Sequence, residues 1–78
     1  MRNKSIIFTK HALERIKQRG LTKEWVLDIV HHHNEASPID EDGTQELRKV
    51  RDGSYYYVVV GHKRSDMVII TAGECGKK

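Results

Sequence analysis

Two helix-opening signatures stand in tandem near the start of this chain, and they restrict its fold more than any other feature. Phe8-Thr9 precedes Lys10-His11-Ala12-Leu13-Glu14-Arg15-Ile16-Lys17-Gln18-Arg19-Gly20, and Leu21-Thr22 precedes Lys23-Glu24-Trp25-Val26. In each, the threonine hydroxyl can accept from a free amide of the first helical turn. The apolar residue before each cap can meet another inside the helix, Phe8 with Leu13 and Leu21 with Val26. Ala12, Leu13 and Ile16 recur at spacings of three and four, as a half-buried helix requires. Gly20 stands where a left-handed residue closes a helix, and Lys17 and Arg19 suit its negative end. The pattern predicts a helix over about residues 10–19. A second, with Trp25, Val26, Ile29 and Val30 on its buried face, should end near 31–34, and the Gly20-Leu21 connection makes the two a tight pair.

The rest of the chain reads as strand. Ser5 to Phe8 is a short strand or an extended lead-in, and 34–43 is an acidic loop in which Pro38-Ile39-Asp40 could form an edge strand. Gln45 to Arg51 and Ser54 to Gly61 flank Asp52-Gly53, a strong two-residue hairpin signal. That turn pairs Arg51 with Ser54, Lys49 with Tyr56 and Arg48 with Tyr57. Met67 to Ala72 is a last strand and Gly73 to Lys78 a tail. The run around Val58–Val60 is apolar on both faces, so it belongs in the middle, between the strands around Leu47 and Ile69. Helices followed by strands argue for α+β. The expectation is one domain over 1–78, with two N-terminal helices packed on one face of a three- to four-stranded antiparallel sheet.

At 78 residues with a single cysteine, Cys75, the domain has no intramolecular disulfide and must rely on packing. No apolar run approaches the ~20 residues of a membrane span, and the N-terminal apolar stretch is too short for a signal peptide. A cytoplasmic setting fits, with no membrane partner. The net charge of +3 is modest. Its distribution says more: seven Lys/Arg against three acids in 1–33, five acids and no Lys/Arg in 34–46, then Arg48, Lys49, Arg51, Lys63 and Arg64 in 47–64. Basic segments flanking an acidic one allow a localised positive surface.

His11, Arg15 and Arg19 lie at i, i+4 and i+8 of the first helix, each step drifting only ~40° around the axis. A histidine can exchange a proton near neutrality, and arginines hold phosphate oxygens and stabilise developing charge. Metal-free cleavage of RNA needs both kinds of group. By spacing alone a solvated polar face serves as well. His31-His32-His33 suggests a metal, but consecutive helical side chains diverge by roughly 100° and neither HExxH nor CxxC occurs, so a dipole-favoured helix end is the better reading and no metal or cofactor is expected. Tyr55 and Tyr57 share one sheet face, available for base stacking, with Arg48 beside them. Thr71 ends the last strand, where a hydroxyl can orient a phosphate. Cys75 reads as an incidental thiol.

The segment Phe8-Thr9-Lys10-His11-Ala12-Leu13-Glu14-Arg15, then Arg19-Gly20-Leu21-Thr22, resembles the opening signature of the DUF4258 family. The acidic loop, the tyrosine/valine strand and Ile69-Ile70-Thr71 fit the same family. The resemblance implies a fold similar to RelE-like toxins and barnase-like nucleases, which cut RNA without metal. It carries His11 and Arg15 onto the family's recurrent polar helix positions, Arg19 onto its Arg-Gly pair and Thr71 onto its last-strand position.

The leading expectation is therefore a small metal-independent endoribonuclease or toxin-type RNA-binding domain. His11 would move the proton, Arg15 and Arg19 would hold phosphate, and Thr71 with Tyr55 or Tyr57 would orient it, with Arg48 among the RNA contacts. An antitoxin or other protein would be a second partner. The alternatives are a non-catalytic RNA- or protein-binding module, and an inhibitor or adaptor protein of a mobile element that meets a basic partner through 34–46.

Overall fold

The structure is a computed structural model that describes residues 5–77, with side chains described as far as Glu74. The elements are β1 (Ser5–Phe8), α1 (Lys10–Gln18), α2 (Lys23–His32), β2 (Glu35–Ala36), β3 (Thr44–Arg51), β4 (Ser54–His62) and β5 (Asp66–Lys77). Both helices start as the sequence predicts: Thr9 Oγ1 accepts from the Ala12 amide and Thr22 Oγ1 from the Trp25 amide. Gly20 sits at φ +71°, its amide donates to the Lys17 carbonyl and the Leu21 amide to the Ile16 carbonyl. That pair of bonds is the Schellman closure. It turns the chain so that Leu21 packs on the core and α2 can begin two residues later.

One apolar cluster holds the layers together: Ala12 and Ile16 from α1, Val26, Ile29 and Val30 from α2, Leu47, Val58, Val60, Ile69 and Ala72 from the sheet. All are 8 % exposed or less, and with ten such residues among those described each one matters. Removing a large one typically costs about 2–5 kcal/mol, against a total stability of about 5–15 kcal/mol for a typical domain. The hairpin across Asp52 (φ +53°) and Gly53 (φ +80°) has the two positive-φ residues a type I′ turn needs. Its register is the predicted one: Arg51 opposite Ser54, Lys49 opposite Tyr56, Arg48 opposite Tyr57.

The expected three- to four-stranded antiparallel sheet behind two leading helices, the RelE/barnase-like arrangement, is corrected by the observed topology. The class is α+β, but the sheet has five strands in the order β1-β5-β4-β3-β2. It is mixed, because β1 pairs parallel with β5. The helices do not lead; they form the crossover out of β1. The reason lies in the alternation of Ser5–Phe8: Ile6 and Phe8 pack on the core, which a loose lead-in would leave wet. Two smaller expectations also change. The second edge strand is Glu35–Ala36 rather than 38–40, since the Asp40 carboxylate accepts from the amides of Asp42 and Thr44 and holds that segment in a turn. Residues 73–77 are not a tail but continue β5 opposite Ser54–Tyr57.

β1 covers β5 only from Asp66 to Ile69, whereas β5 has 12 residues. Beyond Ile69 the side of β5 turned away from β4 has no strand partner among the described residues.

Candidate functional site

The row His11, Arg15, Arg19 does not meet the sheet evenly, and helix geometry explains why. Ala12 and Ile16 define the buried face of α1. At ~100° per residue, His11 points far from it, Arg15 less so, and Arg19 close to it. His11 is exposed and Arg15 half-buried, and Arg19, at the helix end, is exposed as well. Arg19, the C-cap residue of α1, reaches over the uncovered edge of β5.

There its Nη1 donates to the Ala72 carbonyl at 2.6 Å, and stands 3.4 Å from both Thr71 Oγ1 and Tyr57 Oη. The short bond is the anchor, while the two at 3.4 Å are near the outer limit of hydrogen bonding. Nε and Nη2 make no hydrogen bond to the described residues. One edge of the guanidinium is thus fixed and the other left as a donor pair of the kind that grips a phosphate. Gly73 makes the room: a Cβ there would lie 2.8 Å from Tyr57 Oη and 3.0 Å from Arg19 Nη1.

Tyr57, Thr71 and Val59 lie on the face of the sheet that carries no helix, opposite to buried Val58 and Ala72. Tyr55 and Arg48 share that face by alternation and register. Arg48 is engaged there, its Nε donating to Glu46 at 2.7 Å. Back on α1, Arg15 Nε donates to His11 Nε2 at 3.3 Å. That bond requires the ring nitrogen to be unprotonated, hence the Nδ1–H tautomer. Among the described residues no side-chain hydrogen bond joins His11 or Arg15 to Arg19, Thr71 or Tyr57, although the Arg19 amide donates to the Arg15 carbonyl within the helix end. The row therefore divides into an upper pair, His11–Arg15, and a lower node, Arg19–Thr71–Tyr57; along the helix Arg19 lies about 6 Å from Arg15 and about 12 Å from His11 by its rise.

The histidine triplet stays at the end of α2, where His33 Nδ1 lies 3.1 Å from the Val30 carbonyl. Among the described residues no group of three His, Cys, Asp or Glu is placed to hold a metal. No described helix is long and apolar enough to cross a membrane. The Cys75 side chain lies outside the described residues.

A second cluster was read from sequence only as the buried face of α2. Trp25 is half-buried, with the Tyr56 ring edge-on at 5.2 Å. Arg51 stands 4.8 Å and Lys49 5.5 Å from its ring centroid. Lys49 Nζ also donates to Asp28 at 2.6 Å, and this bond holds the Asp28 carboxyl below the usual carboxylate range. The alternation of Lys49 and Arg51 on one face of β3 was the available signal. It became legible only once α2 was laid across that face.

The fold and the braced edge define a small α+β domain with a helix-borne basic row along a half-covered strand. Residues 8–74 match the pattern of the Domain of unknown function (DUF4258) family, and the chain belongs to it. No curated protein and no solved structure matches the chain. The family membership carries the domain and leaves its chemistry to be argued from the site.

Proposed function

We propose that this domain binds RNA along the α1–β5 edge and cleaves it without a metal, as a cytoplasmic toxin-type endoribonuclease. The observation that carries the reading is the Arg19 guanidinium, anchored through Nη1 on the Ala72 carbonyl with its remaining donors open, beside the hydroxyls of Thr71 and Tyr57. Anchoring lowers the entropy lost when a phosphate is gripped, and fixed donors aimed at a phosphorane are the main source of metal-free phosphoryl catalysis.

In the step itself the 2′-oxygen attacks phosphorus and the bond to the 5′-oxygen breaks, leaving a 2′,3′-cyclic phosphate and a 5′-hydroxyl. His11 Nε2 takes the 2′-hydroxyl proton once Arg15 has turned from it to the phosphate, and solvent returns a proton to the 5′-oxygen. Arg15 and Arg19 carry the charge of the transition state. Tyr55 and Tyr57 stack flanking bases, Arg48 exchanges Glu46 for a backbone phosphate, and a protein antitoxin would act by covering this edge.

The test is incubation of end-labelled RNA with the purified protein in EDTA. Wild type gives cyclic-phosphate ends, and His11→Ala and Arg19→Ala do not. Equal background from wild type and His11→Ala removes the catalytic reading.

A second reading is a non-catalytic binding module. It is favoured by the uncovered sheet face, where Ile7 and Ile70 are 43 % and 37 % exposed. Salt-sensitive RNA binding that survives His11→Ala, with no product from wild type, selects it.

A further inference from the structure

The cluster around Trp25 is a cleft that the RNA site above does not use. It is open, has a volume of ≈ 580 Å³, and is lined by Thr22, Glu24, Trp25, Asp28, Lys49 and Arg51. Sites for small ligands run from about 300 to 1,000 Å³. An adjoining depression extends it along Gly20, Leu21, Thr22 and the Asp52 turn to Tyr56. The cleft thus begins one residue beyond Arg19 in the chain, on the helix-bearing face of the sheet, whereas Tyr57 points to the opposite face of β4.

Its charges are unequal. Lys49 is held by Asp28 and is only 21 % exposed, so its role is to fix the wall. Arg51 is 61 % exposed. Its carboxylate neighbour, Asp52, is 93 % exposed and 3.8 Å away, a distance too long for a good hydrogen bond. The guanidinium instead stands over the indole at 4.8 Å, in the range of a cation–π contact. A cation with spare donors over an aromatic surface is matched by a ligand that brings both a phosphate and a flat ring. A carboxylate side chain would use Arg51 and leave the indole idle, and Glu24 and Asp28 would repel an acidic segment longer than one residue. The same two carboxylates can accept from ribose hydroxyls or a base amino group.

We propose that the Trp25–Arg51 cleft is a nucleotide subsite, which takes a base and phosphate of single-stranded RNA flanking the phosphate held at Arg19. The base stacks against Trp25 and Arg51, as bases do on aromatic and guanidinium planes, and the phosphate takes the free donors of Arg51. The placement rests on the RNA reading above, but the cleft's affinity for a nucleotide does not.

Trp25 is the single tryptophan, so its fluorescence reports this cleft alone. The full chain is titrated with 5′-AMP, adenosine, inorganic phosphate and a glutamate-rich peptide. The expected result is saturable quenching by AMP, with adenosine and phosphate each roughly tenfold weaker or more, the loss that about 1.4 kcal/mol of phosphate or stacking energy produces. Arg51→Gln, at an exposed position, should weaken AMP by a similar factor with unchanged circular dichroism. His11→Ala and Arg19→Lys should bind AMP as wild type does. No saturable quenching by AMP, equal binding of AMP and adenosine, or quenching by the peptide instead of AMP each overturns the proposal. AMP binding in a protein that neither binds nor cleaves RNA would leave the cleft standing as a nucleotide site and remove the RNA reading. RNA cleavage without AMP quenching would do the reverse.

Discussion

Gly73→Ala is the substitution that most directly probes the Arg19 node. The glycine has no positive φ, so alanine meets no backbone strain, and only the neighbours of the new Cβ decide the outcome. Those neighbours are Tyr57 Oη at 2.8 Å, Arg19 Nη1 at 3.0 Å and Tyr57 Cζ at 3.0 Å, all well inside the ~3.5 Å at which carbon contacts become favourable. Tyr57 cannot retreat through its backbone, since β4 is bonded on both sides. The ring must swing and the guanidinium must leave its anchor. Overpacking a core costs about 1–3 kcal/mol, but the atoms met here are the far ends of the Tyr57 and Arg19 side chains at an open edge, so the cost falls at the low end of that range, and replacing glycine returns about 0.4–1 kcal/mol by restricting the unfolded chain. The net expectation is a loss of about 0.5–1 kcal/mol, read in a urea titration followed by Trp25 fluorescence and far-UV circular dichroism. In a domain of this size that lowers Tm by about 4–8 °C per kcal/mol. Tyr57→Phe removes the nearest atom, so the double variant should recover part of the loss with a coupling of at least about 0.5 kcal/mol. A Gly73→Ala protein as stable as wild type, or strict additivity with Tyr57→Phe, would refute the tight cradle.

Thr9→Ala should lose about 0.5–2 kcal/mol in the same titration, and Thr9→Ser much less, because the hydroxyl caps α1 and also donates to the Ile69 carbonyl. Arg19→Lys should fold and keep a bond to the Ala72 carbonyl, yet bind RNA about tenfold more weakly in a filter assay, since an ammonium cannot offer two parallel donors; unchanged affinity would remove Arg19 from phosphate binding. The Asp28 carboxyl is held below its ordinary range, first by its bond from Lys49. Its stabilisation is therefore fully present above the unfolded-state value near pH ~3.9 and is lost as pH falls through the lower folded-state value. Asp28→Asn should flatten that acid limb of a pH-dependent stability curve, and an unchanged limb would show the pair to be without weight.

The elements legible in sequence were those whose signals are local. Thr9, Gly20 and Thr22 bracket the helices through bonds within five residues of chain, and Asp52-Gly53 sets the β3–β4 register by itself. β1 was not legible as a sheet member, because its partner lies about sixty residues on and four residues cannot announce a parallel pairing. The length of β5 was hidden for a related reason: Gly73, Glu74, Cys75 and Gly76 have little strand propensity, and pairing with β4 overrides it. The site was legible in part. The spacing of His11, Arg15 and Arg19 and the position of Thr71 can be read from the chain. The contact between Arg19 and Thr71 cannot, because it depends on β1 ending at Phe8 and leaving β5 bare. The one signal for the Trp25 cleft, the alternation of Lys49 and Arg51 on a face of β3, points to no site until α2 is laid across that face.

The short β1 has a consequence for the chemistry of the edge. A strand edge with free carbonyls invites pairing with another chain, and a longer β1 would have removed that risk for the whole of β5. It would also have filled the space through which Arg19 passes. With β1 stopped after four residues, the Ala72 carbonyl is satisfied by a charged side chain instead of a backbone amide. A backbone amide is consumed by the one bond it makes. A guanidinium that makes the same bond retains further donors pointing outward. The edge is protected and at the same time becomes a fixed cationic surface beside two hydroxyls. The ~40° drift of the α1 row then determines which member of the row can do this: Arg19 is turned toward the strand, whereas His11 remains in solvent, within reach of a ligand but not of the sheet. A ligand that bridges the two, such as an extended polyanion, is what would unite the upper pair and the lower node into one site.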